Sequence, residues 1–292
     1  MQLIPIRNLN VAAPLASGHE FLSAASGLVQ IGDMLCVVGD DEQHLALFNQ
    51  NDDGPGHLLR LLPGDLPRKK KKRKKVKPDF EILFALPSLD EAGGETICAM
   101  GSGSTEQRMR AVLINLTSGD VVVRDLQPLF AALAPLVTEI NLEGVVVRSK
   151  RLLLFNRGNM QNPETCIFET TLNAITGEEN IAVTVVKTLA LPLIESVPLT
   201  VTDACSLDDG SILLSAVAEV TDDNYADGAI MGAAIVVLDA NLDVVMIEPL
   251  EPVCKIEGIS ALRTADGVEL LCVSDADDPD MPSALFSATL QI

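Results

Sequence analysis

Four acidic side chains recur at one place in a repeated sequence pattern, and they are the residues best suited to chemistry. They are Glu81, Glu143, Asp203 and Glu257, and a fifth copy of the pattern carries Ser26 at that place. Carboxylates gathered at one level can hold a hard cation such as Ca²⁺, which prefers oxygen ligands, or can exchange protons with a substrate. Their spacing decides whether they can meet.

The repeat has a nearly constant length. The steps from Ser26 to Glu257 are 55, 62, 60 and 54 residues, and the return through the two chain ends is 61 residues. Each copy opens with a short apolar strand and continues into a second apolar run, with Gly-Asp or Asp-Gly turns between runs. This period is typical of radial β-repeats. The sequence therefore predicts an all-β protein, a single five-bladed β-propeller domain over residues 1–292.

The two chain ends are expected to complete the ring together. The last repeat stops one strand short, after SALFSATLQI, while the N-terminal MQLIPIRNL has no blade of its own. We predict that the N-terminal strand joins the last blade by hydrogen bonds between strands. Six blades are the alternative, because residues 50–78 could hold more structure than one strand and a loop. Residues 127–140 form the only predicted helix, which prolines keep short.

The propeller topology turns the acidic repeat into a candidate site. The first strand of each blade lines the central channel, so the four acids are predicted to form a ring. Side chains alternate along a strand, so Asn141 and Lys255, two positions before Glu143 and Glu257, share the channel face. The second strands return to the same mouth and bring further polar groups. The predicted ligand-binding residues are Ser26, Asp40, Ser102, Ser104, Arg108, Asn141, Arg157, Asn159, Lys255 and Asp275.

A ring of carboxylates needs something to balance its charge, because neighbouring like charges and burial both raise carboxyl pKa values. Three arrangements remain open. A divalent cation such as Ca²⁺ could bind Glu81, Glu143, Asp203 and Glu257. Arg108 and Arg157 could instead pair with the carboxylates as a closed polar plug. The third arrangement is an inert channel of shared protons or water.

A basic run interrupts an otherwise acidic chain. Residues 68–77, RKKKKRKKVK, hold nine cations and no acid, whereas the net charge of the whole chain is −20. We predict a basic loop insertion at residues 66–78, between blades one and two. The run is interpreted either as a solvated loop, because like charges repel one another, or as a segment that contacts an anionic partner or folds back onto the acidic body.

The composition narrows the classes of partner. An acidic body repels nucleic acid and anionic lipid, so nucleic acid is expected to bind only through Lys69 to Lys75. No apolar run approaches the length of a membrane span, and the six cysteines contain no C-x-x-C pair. We expect a soluble, cytoplasmic protein with free thiols.

Several motifs resemble known propellers. The order LEG at Leu142–Gly144 and IEG at Ile256–Gly258, with SGL at Ser26–Leu28, is distantly similar to the phytase-like esterase and SdiA-regulated propellers. The stretches KPDFEILFALP, MGSGSTEQR, NLEG and LFNRGN more closely resemble an uncharacterised bacterial propeller family of unknown function. That resemblance implies the propeller fold. It also suggests that the family pattern includes Glu81, Ser102, Ser104, Arg108, Glu143, Arg157 and Asn159.

Two function classes follow. In the first, the protein binds a small anionic molecule or peptide at the acidic channel mouth, with a divalent cation such as Ca²⁺ as the expected companion. In the alternative, the protein is a metal-assisted hydrolase of the phosphoesterase, lactonase or esterase type. Its catalytic candidates are then Glu81, Glu143, Asp203 and Glu257. A fold alone does not establish that a protein catalyses a reaction, and this favours the binding class.

Overall fold

The computed structural model of the protein describes residues 1–87, 95–176, 181–221 and 228–291, whose strands form five antiparallel sheets. The N-terminal strand is β1 (Ile4–Asn8). Blade one comprises β2 (Ala25–Ile31), β3 (Met34–Gly39), β4 (His44–Asn49) and β5 (His57–Arg60). Blade two comprises β6 (Phe80–Leu86), β7 (Thr96–Gly101), β8 (Arg110–Asn115) and β9 (Val121–Asp125).

The remaining blades follow the same plan. Blade three comprises β10 (Leu142–Arg148), β11 (Arg151–Asn156), β12 (Thr165–Thr171) and β13 (Thr184–Leu189). Blade four comprises β14 (Leu193–Ile194), β15 (Val197–Ser206), β16 (Ile212–Glu219), β17 (Ile230–Leu238) and β18 (Val244–Pro249). Blade five comprises β19 (Lys255–Thr264), β20 (Gly267–Asp275) and β21 (Ala284–Leu290), and β1 completes it. The short helices are α1 (Lys70–Arg73), α2 (Gln127–Leu133) and α3 (Asn173–Thr176).

The prediction of an all-β, five-bladed propeller is confirmed, and the six-blade alternative is wrong. The N-terminal strand closes the ring as predicted, because β1 pairs antiparallel with β21 from Ile4 opposite Ser287 to Asn8 opposite Ala284. Residues 50–78, which the alternative reserved for an extra blade, contain β5 and α1. The predicted helix at residues 127–140 forms only in its first half, since α2 ends before Pro135.

The core lies between neighbouring blades and follows the ring. Five clusters of buried apolar side chains each join two adjacent blades. The cluster at the ring closure packs Val273 and Leu285 of blade five against Leu28 and Leu35 of blade one. Apolar residues thus hold the five sheets at fixed positions around the axis. Among the described residues, no helix is long and apolar enough to cross a membrane.

The first strands β2, β6, β10, β15 and β19 contact one another in sequence and enclose the axis. Glycine allows this close approach: a Cβ added to Gly144 would lie 2.8 Å from Ala204 Cβ, and one added to Gly27 would lie 2.9 Å from Leu83 Cβ. The small residues that follow the repeated positions therefore have a structural role. They bring the first strands close enough for the side chains at the mouth to meet.

Candidate functional site

Each first strand has a β-bulge at the same level of the channel. The pairing register skips one residue in every blade, and the residues left unpaired are Ser26, Glu81, Glu143, Thr202 and Glu257. A bulge leaves one residue outside the ladder and changes the direction of its side chain. The repeated residues of blades one, two, three and five therefore occupy equivalent positions around the axis.

Asp203 does not belong to this ring. The repeated position predicted for this blade is wrong by one residue. Thr202 has the bulge position in β15, and Asp203 has the position that Gly27, Gly144 and Gly258 have in other blades. The buried Asp203 carboxylate accepts hydrogen bonds from Ala204 N and Ile259 N, each at 2.7 Å. These hydrogen bonds connect β15 to β19, so the role of Asp203 is to stabilise the contact between two first strands.

Lys77 joins the carboxylates of blades one and two. Its Nζ forms an ion pair with Asp40, lies 2.9 Å from Asp79 Oδ1 and lies 3.6 Å from Asp41 Oδ1. The Lys77 side chain is only 6% exposed, so these ion pairs are largely withdrawn from water. Nearby acids, Asp40 first among them, hold the pKa of Lys77 well above its usual value although burial opposes this. These acids therefore stabilise the positive charge of Lys77 at the channel mouth.

Asp79 receives a second cation from blade two. Arg108 Nη1 lies 2.8 Å from Asp79 Oδ2, and Ser102 Oγ donates to the same oxygen at 2.6 Å. Arg108 also donates to Ser104 Oγ at 2.7 Å. Asp79 adopts a left-handed backbone with φ of 56°, an uncommon conformation that carries strain and is concentrated at functional sites. The predicted residues Ser102, Ser104 and Arg108 are thus brought together around Asp79.

Glu81 lies beside this cluster without a cation of its own. One oxygen each of Asp40, Asp79 and Glu81 lie within 4.8 Å of one another. Calcium binds oxygen at about 2.3–2.6 Å, so two ligands of one ion lie at most about 5 Å apart. These three carboxylates therefore fit a divalent cation, whereas the predicted set of Glu81, Glu143, Asp203 and Glu257 loses Asp203 to its backbone bonds.

Arg157 collects the carboxylates of blades three, four and five. Its Nη2 lies 2.5 Å from Glu219 Oε2, and its Nη1 lies 3.5 Å from Glu143 Oε1 and 3.8 Å from Glu257 Oε1. Asn141 Nδ2 donates to Glu143 Oε1 at 2.6 Å. The guanidinium therefore acts as a shared counter-ion for three acids, as in the arginine plug.

Lys255 balances the mouth on the side of blade five. Its Nζ lies 3.1 Å from Glu257 Oε1 and 3.0 Å from Asp277 Oδ1. The neighbouring Asp275 accepts a hydrogen bond from Asp277 N at 2.7 Å. Burial and the nearby Glu257 raise the pKa of Asp275 well above its usual value. Lys255 and Asp275 thus lie at the mouth, as predicted.

The carboxyl groups at the mouth outnumber the cations, and their pKa values reflect this. Burial raises the pKa of Glu143 to about 8 against the opposing effect of Arg157. Burial also raises the pKa values of Glu81 and Glu257. Glu219 differs: although burial acts to raise its pKa, Arg157 and Lys255 lower it below the usual value. An acid that retains its proton at neutral pH therefore lies near one that has lost it.

The basic run folds back onto this acidic mouth, which was one of its two interpretations. We call residues 68–77 the basic strap. Arg73 is 1% exposed and donates to Asp41 Oδ2 from Nη2 at 3.0 Å and to Arg68 O at 2.8 Å. Arg73 and Lys77 point inward, whereas Lys69, Lys71, Lys72 and Lys75 are exposed.

Two predicted residues lie apart from the ion-pair network. Ser26 is buried and donates to Ala24 O of its own strand segment at 3.3 Å. Asn159 donates to Glu139 Oε2 at 2.6 Å and lines a separate cavity of about 440 Å³. Arg157 also lines this cavity, so one side chain connects the two spaces. Asn159 therefore belongs to the cavity and not to the channel mouth.

Sequence reasoning missed Lys77 as a mouth residue, although a signal was available. Lys77, Asp79 and Glu81 alternate in K-P-D-F-E, as Lys255 and Glu257 alternate in K-I-E. Alternation directs these side chains to one face, and the same pairing of cation and acid in two blades could have separated Lys77 from its basic neighbours. Arg73 and Asp41 had no comparable pattern.

Sequence comparison places the chain in a family. A family profile described as a family of unknown function, DUF6929, matches residues 21–290. The chain belongs to DUF6929. This agrees with the predicted resemblance to a propeller family of unknown function, and the more distant resemblance to phytase-like and SdiA-regulated propellers stays a prediction. No curated protein matches this DUF6929 chain in sequence.

Solved structures share the fold of this DUF6929 protein. The endo-arabinase of Bacteroides thetaiotaomicron has a TM-score of 0.54 and 9% identity, over 96% of this chain and 97% of that one. A protein assigned as an exo-β-1,3-galactanase from Bifidobacterium bifidum has a TM-score of 0.52 and 9% identity, over 98% and 94% of the two chains. A protein assigned as a glycosidase from Bacteroides thetaiotaomicron has a TM-score of 0.52 and 11% identity, over 98% and 96%. At these identities the likeness concerns the fold alone.

Proposed function

We propose that the protein binds a small ligand at the acidic channel mouth together with a divalent cation, with Ca²⁺ as the first choice. The observation that supports this is the excess of carboxyl groups over cations, with Asp40, Asp79 and Glu81 within 4.8 Å of one another. Buried like charges are unfavourable unless a proton or a cation compensates them. A divalent ion there would compensate two carboxylates at once.

The ion pairs at the mouth also determine which groups could bind an anionic ligand. Arg108 and Arg157 already pair with Asp79 and with Glu143 and Glu219, respectively. An anion alone would therefore meet cations that carboxylates have neutralised. A bound divalent cation keeps positive charge at the mouth, so the predicted anionic molecule or peptide would enter as a co-ligand of that ion.

Thermal unfolding of metal-stripped protein tests the proposal. Millimolar Ca²⁺ should raise the melting temperature, because an ion that binds only the native state stabilises it by mass action. The Glu81→Gln variant should lose most of this shift, and it should fold, since no hydrogen bond or ion pair joins Glu81 to another described residue. Glu269→Gln, an exposed change on blade five, is the matched control. Equal melting temperatures with and without Ca²⁺, Mg²⁺ and Mn²⁺ would contradict the proposal.

A metal-assisted hydrolase is the second candidate, and the contrast between Glu143 and Glu219 favours it. Burial raises the pKa of Glu143 to about 8, whereas Arg157 keeps Glu219 ionised, and the two carboxyls flank one guanidinium. Acid and base roles are commonly assigned to carboxyl pairs whose environments separate their pKa values. Here Glu143 would donate a proton to a leaving group, and a cation held at Asp40, Asp79 and Glu81 would activate water.

The substrate panel follows from both the earlier prediction and the fold. Glycosidases of arabinan and galactan type share this fold at 9% identity, so aryl arabinosides and galactosides belong in the panel beside aryl phosphates, esters and lactones. Glu143→Gln should abolish any hydrolysis found, with an unchanged circular dichroism spectrum. Hydrolysis that survives in the Gln variant would remove Glu143 from the catalytic role. No hydrolysis in the parent protein would leave the binding function as the better account.

A further inference from the structure

We propose that the basic strap is an autoinhibitory plug, in which the Lys77 ammonium occupies the position of the cation at the channel mouth. The inference rests on the proposed function, since it describes how binding of the divalent ion at that site is controlled. Strap and ion would exclude one another because both need the same carboxylates.

The position of Lys77 is the first support. Its Nζ pairs with Asp40 and with Asp79, two of the three carboxylates that fit a divalent cation. Asp40 Oδ1 is buried and accepts no hydrogen bond in the described structure, so part of this carboxylate has no partner even with Lys77 in place. A single ammonium thus leaves the acidic set incompletely compensated, and a doubly charged ion would balance more of it.

The attachment of the strap is the second support. Arg73 attaches α1 to blade one through Asp41, and its hydrogen bonds to the carbonyls of Pro67 and Arg68 hold the strap's own turn. Lys70 Nζ lies 3.4 Å from Asp277 O on the far side of the mouth, so the strap extends from blade one to blade five. Arg73 is the one buried residue of α1, and Arg108 Nη2 donates to the carbonyl of Lys74 at the end of this helix, so the attachment described here is polar. A metal ion can therefore replace the strap's ion pairs with the carboxylates, and no apolar core has to be exposed to water when it does.

The closed mouth is the third support. The space between the strap and the rim, lined in part by Asp40, Lys70, Lys77 and Asp275, is about 40 Å³. A volume of this size accepts a few water molecules and no organic ligand. With the strap in place, this entrance therefore admits no larger molecule. Displacement of Lys77 by an ion would release the C-terminal end of the strap and open this entrance.

Calcium titration of metal-stripped Lys77→Met protein tests the inference. Methionine keeps a linear side chain of similar length and removes the ammonium, so the variant should bind Ca²⁺ at least tenfold more tightly than the wild type by isothermal titration calorimetry. Lys75→Met, on the exposed side of the strap, should bind as the wild type does. Equal affinities in all three proteins would overturn the plug and leave the proposed function standing. Absence of Ca²⁺ binding in all three would overturn both.

Proteolysis of the unaltered protein gives a second measurement if Lys77→Met fails to fold. Endoproteinase Lys-C should cleave the strap several times faster in Ca²⁺ than in EDTA, because the released segment becomes accessible. Cleavage sites outside residues 68–77 should keep their rates and serve as the internal control. A strap cleavage rate that is unchanged or lowered by Ca²⁺ would overturn the inference.

Discussion

Arg157 of the segment after β11 and Glu219 at the end of β16 form a 2.5 Å ion pair that joins blades three and four at the channel mouth. The same guanidinium lies within 4 Å of Glu143 and Glu257, so one side chain compensates acids from three blades. Both partners of the short pair are at most 10% exposed. The pair therefore couples the ring of blades electrostatically in addition to the apolar contacts between them.

Arg157→Met is expected to destabilise the protein by about 3–5 kcal/mol, because removal of one partner leaves buried carboxylates without a counter-ion. The double variant Arg157→Met/Glu219→Gln should lose less free energy of unfolding than the sum of the losses in the two single variants. Urea unfolding measures all three. Arg151→Met is the matched control, since its pair with Glu169 is exposed and should contribute at most about 1 kcal/mol. Additive losses would mean that Arg157 and Glu219 act independently.

The pH dependence of stability should report the proton on Glu143. Burial raises the pKa of Glu143 from 4.5 to about 8, so the native state holds this proton more tightly than the unfolded chain. The resulting stabilisation is fully present below pH 4.5 and is lost as the pH rises through about 8. Glu143→Gln cannot titrate. Its free energy of unfolding relative to that of the wild type should therefore increase by about 2 kcal/mol or more as the pH rises over this range. Urea unfolding at pH 5 and pH 8.5 measures the difference.

The control for this experiment is Glu269→Gln, whose side chain is exposed on blade five. Its difference from the wild type should stay constant between the two pH values. A constant difference for Glu143→Gln as well would show that Glu143 is already ionised in the native protein. In that case the proton-donor role proposed for it would lose its basis.

The propeller could be predicted from the sequence because its repeat is a backbone property. Each copy contains the same apolar strands and turns, and the missing strand after SALFSATLQI required a partner such as β1. The position of Asp203 could not be obtained in this way. Its carboxylate falls one residue beyond the bulge, and a bulge shifts the register without a mark in the spacing of charged residues.

The balance of charge at the mouth was also only partly predictable. Arg157 and Lys255 were placed there by their strands, because strand alternation and topology determine their direction. Lys77 lay within a run of cations whose composition is typical of a solvated loop. Its alternation with Asp79 and Glu81 in K-P-D-F-E was the available sequence signal, and the ion pairs with Asp40 and Asp79 distinguish this lysine from its exposed neighbours.

Asp203 should be important for stability and unimportant for ion binding. Asp203→Ala removes the acceptor for Ala204 N and Ile259 N, which leaves two buried donors unsatisfied and should destabilise by about 2–4 kcal/mol. Its Ca²⁺ affinity should match that of the wild type at a temperature where both are folded, whereas Glu81→Gln should show the opposite pattern. Loss of Ca²⁺ binding with little loss of stability would return Asp203 to the ligand set.

Closure of the ring by β1 should determine whether the last blade is stable. Deletion of residues 1–8 would leave the edge of β21 unpaired and uncover the core next to Leu3, which is 4% exposed and packs in the cluster between blades four and five. Unpaired edges promote association of sheets, so we expect a lower melting temperature and concentration-dependent aggregation. Ile4→Thr is the control, because Ile4 is 60% exposed and its pairing with Ser287 uses only the backbone. A truncated protein with the melting temperature and the oligomeric state of the wild type would show that blade five is stable with three strands.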